Sequence, residues 1–250
     1  MKPIVVALLL YVLSGGVAVA KEGNACITVA GTVGPDFGLP HVARAIAKKK
    51  LNVTVIGSAS SELNGPAGTN IAYPTRLEEA LRRLLPGVTV KVTTYARPRE
   101  AASEMEAKLP RIIAESNPAL LVWQTGTADA IRGVDAEEFR VALDDGIDKL
   151  RAAEADVVFM NMQYSPRTEA MLAVTAYADA MRIVALKREA VLFDRFTIMK
   201  RWNEGGVFDL YGATRTTNVA ERVHDCLGRL LADVVIAGAK LAPAADKGTQ

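Results

Sequence analysis
Three hydroxyls crowd one turn of this sequence, Val55-Ile56-Gly57-Ser58-Ala59-Ser60-Ser61. A serine at the end of a strand can be presented as a nucleophile, but attack needs a base to take its proton and donors for the developing oxyanion. Bases are scarce, since the chain has 2 histidines, His41 and His224. His41, in Leu39-Pro40-His41-Val42, reads as a residue at a helix start. With 2 histidines and 2 distant cysteines, no metal-ligand cluster or cofactor is expected. Asp144, Asp145 and Asp148 read as a solvated helix face, without EF-hand spacing. The turn is therefore a working nucleophile site, a damaged one, or only a turn.

The elements that must position these hydroxyls come from the apolar pattern. Short apolar runs predict strands over 52–57, 88–94, 119–124, 156–161 and 190–193. Amphipathic stretches predict helices over 39–50, 74–85, 99–115, 136–153, 168–186, 195–203 and 219–238. Strands separated by helix-length segments imply βαβ units and a parallel sheet covered on both faces. The expected fold is a three-layer α/β/α sandwich of flavodoxin-like type, with about five strands. Ligands of such sheets bind at the carboxyl ends of the strands. There Gly57–Ser61, Thr94–Arg99, Thr125–Asp129 and Gly212–His224 would converge, and Gly57, Ser58, Arg97, Thr127, Asp129 and Gln163 would line the cleft. Arg195, near a strand end, could also face it. Trp123 and Trp202 read as packing residues, and the Asn52-Val53-Thr54 sequon lies on a predicted strand.

The chain has 250 residues, 50% hydrophobic, enough for one sizeable core, and its formal net charge is only +2. Nucleic acid is an unsuited partner for so balanced a surface. Residues 1–20 have one lysine, an apolar core from Ile4 to Leu13 and Ala18-Val19-Ala20, the layout of a cleaved export signal. That run is too short for a comfortable membrane span, so no stable anchor is expected after cleavage. The expectation is a periplasmic or secreted bacterial protein, with a domain over 21–240 and a flexible tail over 241–250. An oxidising compartment would permit one intramolecular bridge, Cys26 to Cys226, tying the mature N-terminus to the last helix.

At the converging segments the chain resembles the SGNH/GDSL hydrolases, in particular an exported bacterial branch whose first motif reads G-S-S-S-T. The resemblance runs from about Cys26 to Val235. It is carried by the stretches VIGSASS, AYPTRLEEAL, VWQTGTADAIRG, AEEFRVALDDGIDKLRAAEADVVFMNMQYSPR, DRFTIMKRW and HDCLGRLLA. It implies serine ester hydrolysis, with a histidine base, an orienting aspartate and an oxyanion hole of serine N–H, glycine N–H and asparagine side chain. Carried over, the nucleophile position falls at Ala59, the oxyanion glycine near Ala96 and the asparagine at Ala128. His224 falls on a tyrosine that follows the catalytic histidine in the family, so that histidine maps to Asn218 and its aspartate to Arg215.

Every catalytic position thus differs. Ala96 still offers a backbone N–H, but the loss of one side-chain oxyanion donor costs ~10²–10³ in rate, and Ala59 has no nucleophilic atom. A shifted alignment would instead pair Ser58 or Ser60 with His224 and Glu221. That moves the base by ~9 Å along a helix at about 1.5 Å per residue, against the ~3 Å contact the chemistry needs. The resulting expectation is an esterase-like pseudo-hydrolase whose cleft binds an acyl or carbohydrate-ester ligand or an envelope protein. The alternatives are an active esterase with relocated residues, and a structural envelope protein whose cleft is closed by Arg97, Arg99 and Arg215.

Overall fold
In this computed structural model, Cys26 and residues 34–63, 67–171, 174–211 and 217–241 are described. Five strands form one sheet: β1 (Lys50–Gly57), β2 (Thr89–Ala96), β3 (Leu120–Gln124), β4 (Asp156–Met160) and β5 (Val191–Phe193). Their spatial order is β2-β1-β3-β4-β5, and every pairing is parallel. The expected doubly covered parallel sheet is therefore the observed one.

The strand residues explain the covering. Along β3, Leu120 and Val122 enter one apolar cluster, while Leu121 and Trp123 enter the other. In β4, Val158 and Met160 face the first, Val157 and Phe159 the second. Period-two alternation of residues that are all apolar leaves both faces needing cover. On the first face lie α1 (Pro40–Ala47), α3 (Tyr73–Leu84), α10 (Arg195–Glu204) and α11 (Thr217–Leu241). On the second lie α4 (Ala102–Glu106), α5 (Leu109–Ser116), α7 (Ala136–Ala152) and α9 (Val174–Lys187). Three short helices, α2 (Gly68–Ile71), α6 (Thr127–Arg132) and α8 (Pro166–Met171), complete the set.

The boundaries depart from expectation for local reasons. The segment predicted as one helix over 99–115 starts late, at Ala102, after Arg99 turns at φ 65°, and it divides in two because Pro110 opens a second helix. The stretch 168–186 likewise divides between α8 and α9. Helix α6 was not expected, being only 6 residues long and too short to show a period. Helix α1 ends at Ala47 and β1 begins at Lys50, two residues before the predicted strand. Helix α7 starts where Asp135 accepts from the backbone N–H groups of Glu137 (2.8 Å) and Glu138 (3.3 Å).

Cys26 and Cys226 are joined by a disulfide across a sequence separation of 200, fastening the chain ahead of α1 to α11. The expected leader over 1–20, and all of the expected tail except Leu241, which ends α11, lie outside the described residues. No described helix is long and apolar enough to cross a membrane.

Candidate active site at the sheet switch point
The chain leaves β1 toward β2 and then reverses to build β3, β4 and β5, so the order switches between β1 and β3. Connections diverge to opposite faces at such a switch, and in open α/β sheets the crevice outside it is where ligands bind. Gly57 pairs with Ala96 at the end of the β1–β2 register, and the Arg97 N–H donates to the Gly57 carbonyl at 2.9 Å. After Gly57 the chain enters a 3₁₀ turn, Ala59–Ser61. Beyond β3, Gly126 adopts φ +97° at the start of α6, and a Cβ there would sit 2.6 Å from the Met162 sulfur. Only glycine suits that conformation and that approach. The switch thus brings the turns carrying Ala59, Ala96 and Ala128 to neighbouring strand ends.

The serines do not face a base. They converge on the amide oxygen of Gln124, the last residue of β3. Gln124 Oε1 accepts from the Ser58 N–H at 3.0 Å and from the hydroxyls of Ser58 (3.2 Å), Ser60 (3.3 Å) and Ser61 (3.1 Å). One carbonyl oxygen has two lone pairs, so this acceptor is oversubscribed. Ser61, fully buried, has a second contact with the Tyr73 hydroxyl at 2.9 Å. Ser58 and Ser60 are half-buried, and Ala59 between them is exposed.

Arg195 lies beneath the turn, and the expectation that it lines the cleft is corrected: it is wholly buried. Its position is set by the start of α10. Asp194 accepts from the Thr197 N–H at 3.0 Å, while Asn161, just past β4, donates to Asp194 at 2.7 Å and accepts from the Phe196 N–H at 2.9 Å. The Arg195 guanidinium donates to Ser60 Oγ at 3.0 Å and to Gln163 Oε1 at 2.8 Å, and lies 6.0 Å from the Tyr73 ring centre. Its Nε has no partner among the described residues. Burial pushes its pKa down to about 10, which leaves it a cation at neutral pH.

His224 is buried on α11 and accepts the Tyr73 backbone N–H on Nδ1 at 2.9 Å. Burial, and then the nearby Arg195 charge, push its pKa down to about 3. Among the described residues no hydrogen bond joins it to Ser58 or Ser60. Glu221 is exposed and bonds Arg76 at 3.0 Å, on the surface. Among the described residues the serines, His224 and Glu221 thus have different immediate partners, Gln124, Tyr73 and Arg76.

Other residues sort similarly. Asp129 is fully buried, not cleft-lining: its carboxylate accepts the Ala102 N–H at 2.9 Å and the Thr125 hydroxyl at 3.4 Å, anchoring the start of α4. Burial raises its pKa, with those donors opposing. Gly57 is buried as well, whereas Thr127 and Gln163 are half-buried and Arg97 and Arg99 exposed. Ala128 is buried and Asn218 stands exposed on the first turn of α11; Arg215 lies outside the described residues. Asp144 and Asp148 are not simply solvated but pair with Arg188. His41 Nδ1 meets Arg44 at 2.6 Å. No described cluster of acids, histidines or cysteines could hold a metal. Cavities of about 270 and 320 Å³ lie beside β5 and near the start of β4, without any switch-point residue in their walls.

Sequence reading passed over Gln124 and Tyr73. The available signal for Gln124 was one polar residue closing the apolar run Leu120–Trp123. Nothing local marks Tyr73, whose role comes from contacts 151 residues away.

The model of a family described as non-GDSL lipase-like matches residues 25–241. No curated protein matches the sequence. Among solved structures, TesA is similar at 21% identity and TM-score 0.55, over 73% of this chain and 98% of its own. A lipase/acylhydrolase from Enterococcus faecalis is similar at 14% identity and TM-score 0.59, over 78% and 99%. An acetylxylan esterase from Geobacillus stearothermophilus, a catalytic mutant, is similar at 14% identity and TM-score 0.59, over 74% and 93%. At these identities the likeness is one of fold.

Proposed function
The chain belongs to the non-GDSL lipase-like family, an SGNH/GDSL-like group of esterase and lipase folds, and we propose that this protein binds at the inherited cleft without hydrolysing what it binds. The observation that carries the reading is Ala59. It stands where the resemblance expects the nucleophile, exposed, between two serines whose hydroxyls are engaged by Gln124 and Arg195. The Ser60 hydroxyl donates to Gln124 and accepts from Arg195, and no described base stands within hydrogen-bond reach to take its proton. The only buried histidine is occupied on Nδ1 and held neutral. Loss of nucleophile, base and orienting acid together leaves only the residual rate from binding and remaining donors.

An acyl or carbohydrate-ester group is the ligand class suggested by the esterase relatives. The N-terminal signal pattern and the disulfide support an exported, oxidising location. An envelope protein as partner would use the same cleft.

The test is hydrolysis of p-nitrophenyl acetate and of acetylated xylo-oligosaccharide, beside Ser58→Ala, Ser60→Ala and His224→Ala. No turnover above buffer is expected. Turnover abolished by one serine substitution and by His224→Ala would overturn the reading and establish a rewired esterase.

A further inference from the structure
We propose that the switch-point turn seats a small carboxylate, held by the hydroxyls of Ser58 and Ser60 and balanced by the Arg195 guanidinium directly beneath them. This rests on the reading of the site as a binding cleft and specifies what it binds.

Arg195 is a buried cation. Among the described residues no carboxylate lies within ion-pair reach of it. Its neighbour Asp194 is taken by Asn161, Thr197 and Arg182. The cation also stands at the first residue of α10, where the helix dipole opposes it. Burying an unpaired charge is strongly unfavourable, and two neutral acceptors with one aromatic face offset it only in part.

The surface above complements it. Of the four donors on Gln124 Oε1, two have the lone pairs they need, and two are surplus. The Ser58 N–H is fixed by the backbone and Ser61 is buried, so the hydroxyls free to turn outward are those of Ser58 and Ser60. Both are half-buried beside exposed Ala59. Arg195 donates to Ser60 Oγ, and that polarises the Ser60 hydroxyl into a stronger donor. Ser60 thus relays the positive potential of the buried guanidinium to the surface. Two outward donors over a single positive charge suit a monoanion with two oxygens.

Thermal unfolding and titration calorimetry of the full chain with sodium acetate and butyrate, at ionic strength matched by chloride, test this. Inorganic phosphate and sulfate serve as comparators. Carboxylate is expected to raise Tm saturably, as any ligand of the native state does. Ser58→Ala should weaken binding about tenfold, the scale of one hydrogen bond to a charged group. Arg195→Gln should abolish the response. Because that variant risks misfolding, amide NMR shifts of the wild type supply an independent readout: carboxylate should perturb Ser58, Ala59 and Ser60 first. No Tm rise beyond chloride, unchanged affinity in Ser58→Ala, shifts located elsewhere, or equal binding of phosphate would each overturn the proposal. Ester turnover together with carboxylate binding would overturn the binding-only reading and keep this seat. No turnover and no carboxylate binding would keep that reading and overturn this one.

Discussion

The backbone N–H of Tyr73 donates to Nδ1 of His224 at 2.9 Å, and so places the imidazole proton on Nε2. The bond joins the start of α3 to α11 and holds a neutral ring inside the protein. An imidazolium would have no lone pair for Tyr73 and would lie near the Arg195 charge.

The folded pKa of His224, about 3, is below the unfolded value of 6.5. Its contribution to stability is therefore complete above about pH 6.5 and is lost as pH falls toward 3, by a few kcal/mol. His224→Gln should lower Tm at pH 7, and the gap from wild type should narrow on acidification. A ring proton resonance assigned to His224, and not to His41, that titrates near pH 6.5 in the folded protein would defeat this account.

Asp156 should behave oppositely. Burial raises its pKa to about 6 from 3.8, although it accepts backbone N–H groups of Val42 and His41. The protonated form is the better fit, so its contribution is complete below about pH 3.8 and is lost as pH rises through 6. Asp156→Asn should raise stability above pH 6 by about 2 kcal/mol and change little near pH 3.5. Denaturant melts at the two pH values decide it; an equal effect at both would refute it.

Ala59→Ser should not restore hydrolysis. The new hydroxyl would lack a base, because Asn218 stands where the resemblance places the histidine and His224 is committed to Tyr73. Measured p-nitrophenyl acetate turnover should stay at buffer level. A rate rise of ~10²-fold or more would show a base in reach that these contacts do not reveal.

Gly228 lets α11 approach α3 closely. A Cβ there would lie 2.5 Å from the Arg76 Cβ and 2.8 Å from the Leu77 nitrogen, which is backbone and cannot swing aside. Gly228→Ala should therefore lower stability by ~1–3 kcal/mol despite alanine's better helix propensity. A rise in Tm would contradict the packing.

Removing the disulfide by Cys26→Ser with Cys226→Ser should destabilise strongly. The bridge closes a loop of 200 residues, for which chain entropy suggests about 5 kcal/mol at most. Comparing melts of that variant with those of reduced and oxidised wild type tests it.

The alternation of strands and helices is legible in the residue pattern alone, because burial on two faces requires apolar runs and one-sided cover requires amphipathic ones. The resemblance also suggested Ala59, Ala96, Ala128, Arg215 and Asn218 as the family's catalytic positions, because aligned motifs carry residue identity. Neither determined what the serines do. Ser58, Ser60 and Glu221-Arg222-Val223-His224 suggested a relocated catalytic set from spacing alone, yet Glu221 points to Arg76 and His224 inward to Tyr73. Only the tertiary structure put Gln124 under four donors and buried Arg195 behind Ser60, 135 residues away. Burial and hydrogen-bond partner choice depend on which chain segments meet across the sheet, and local residue pattern does not encode those meetings.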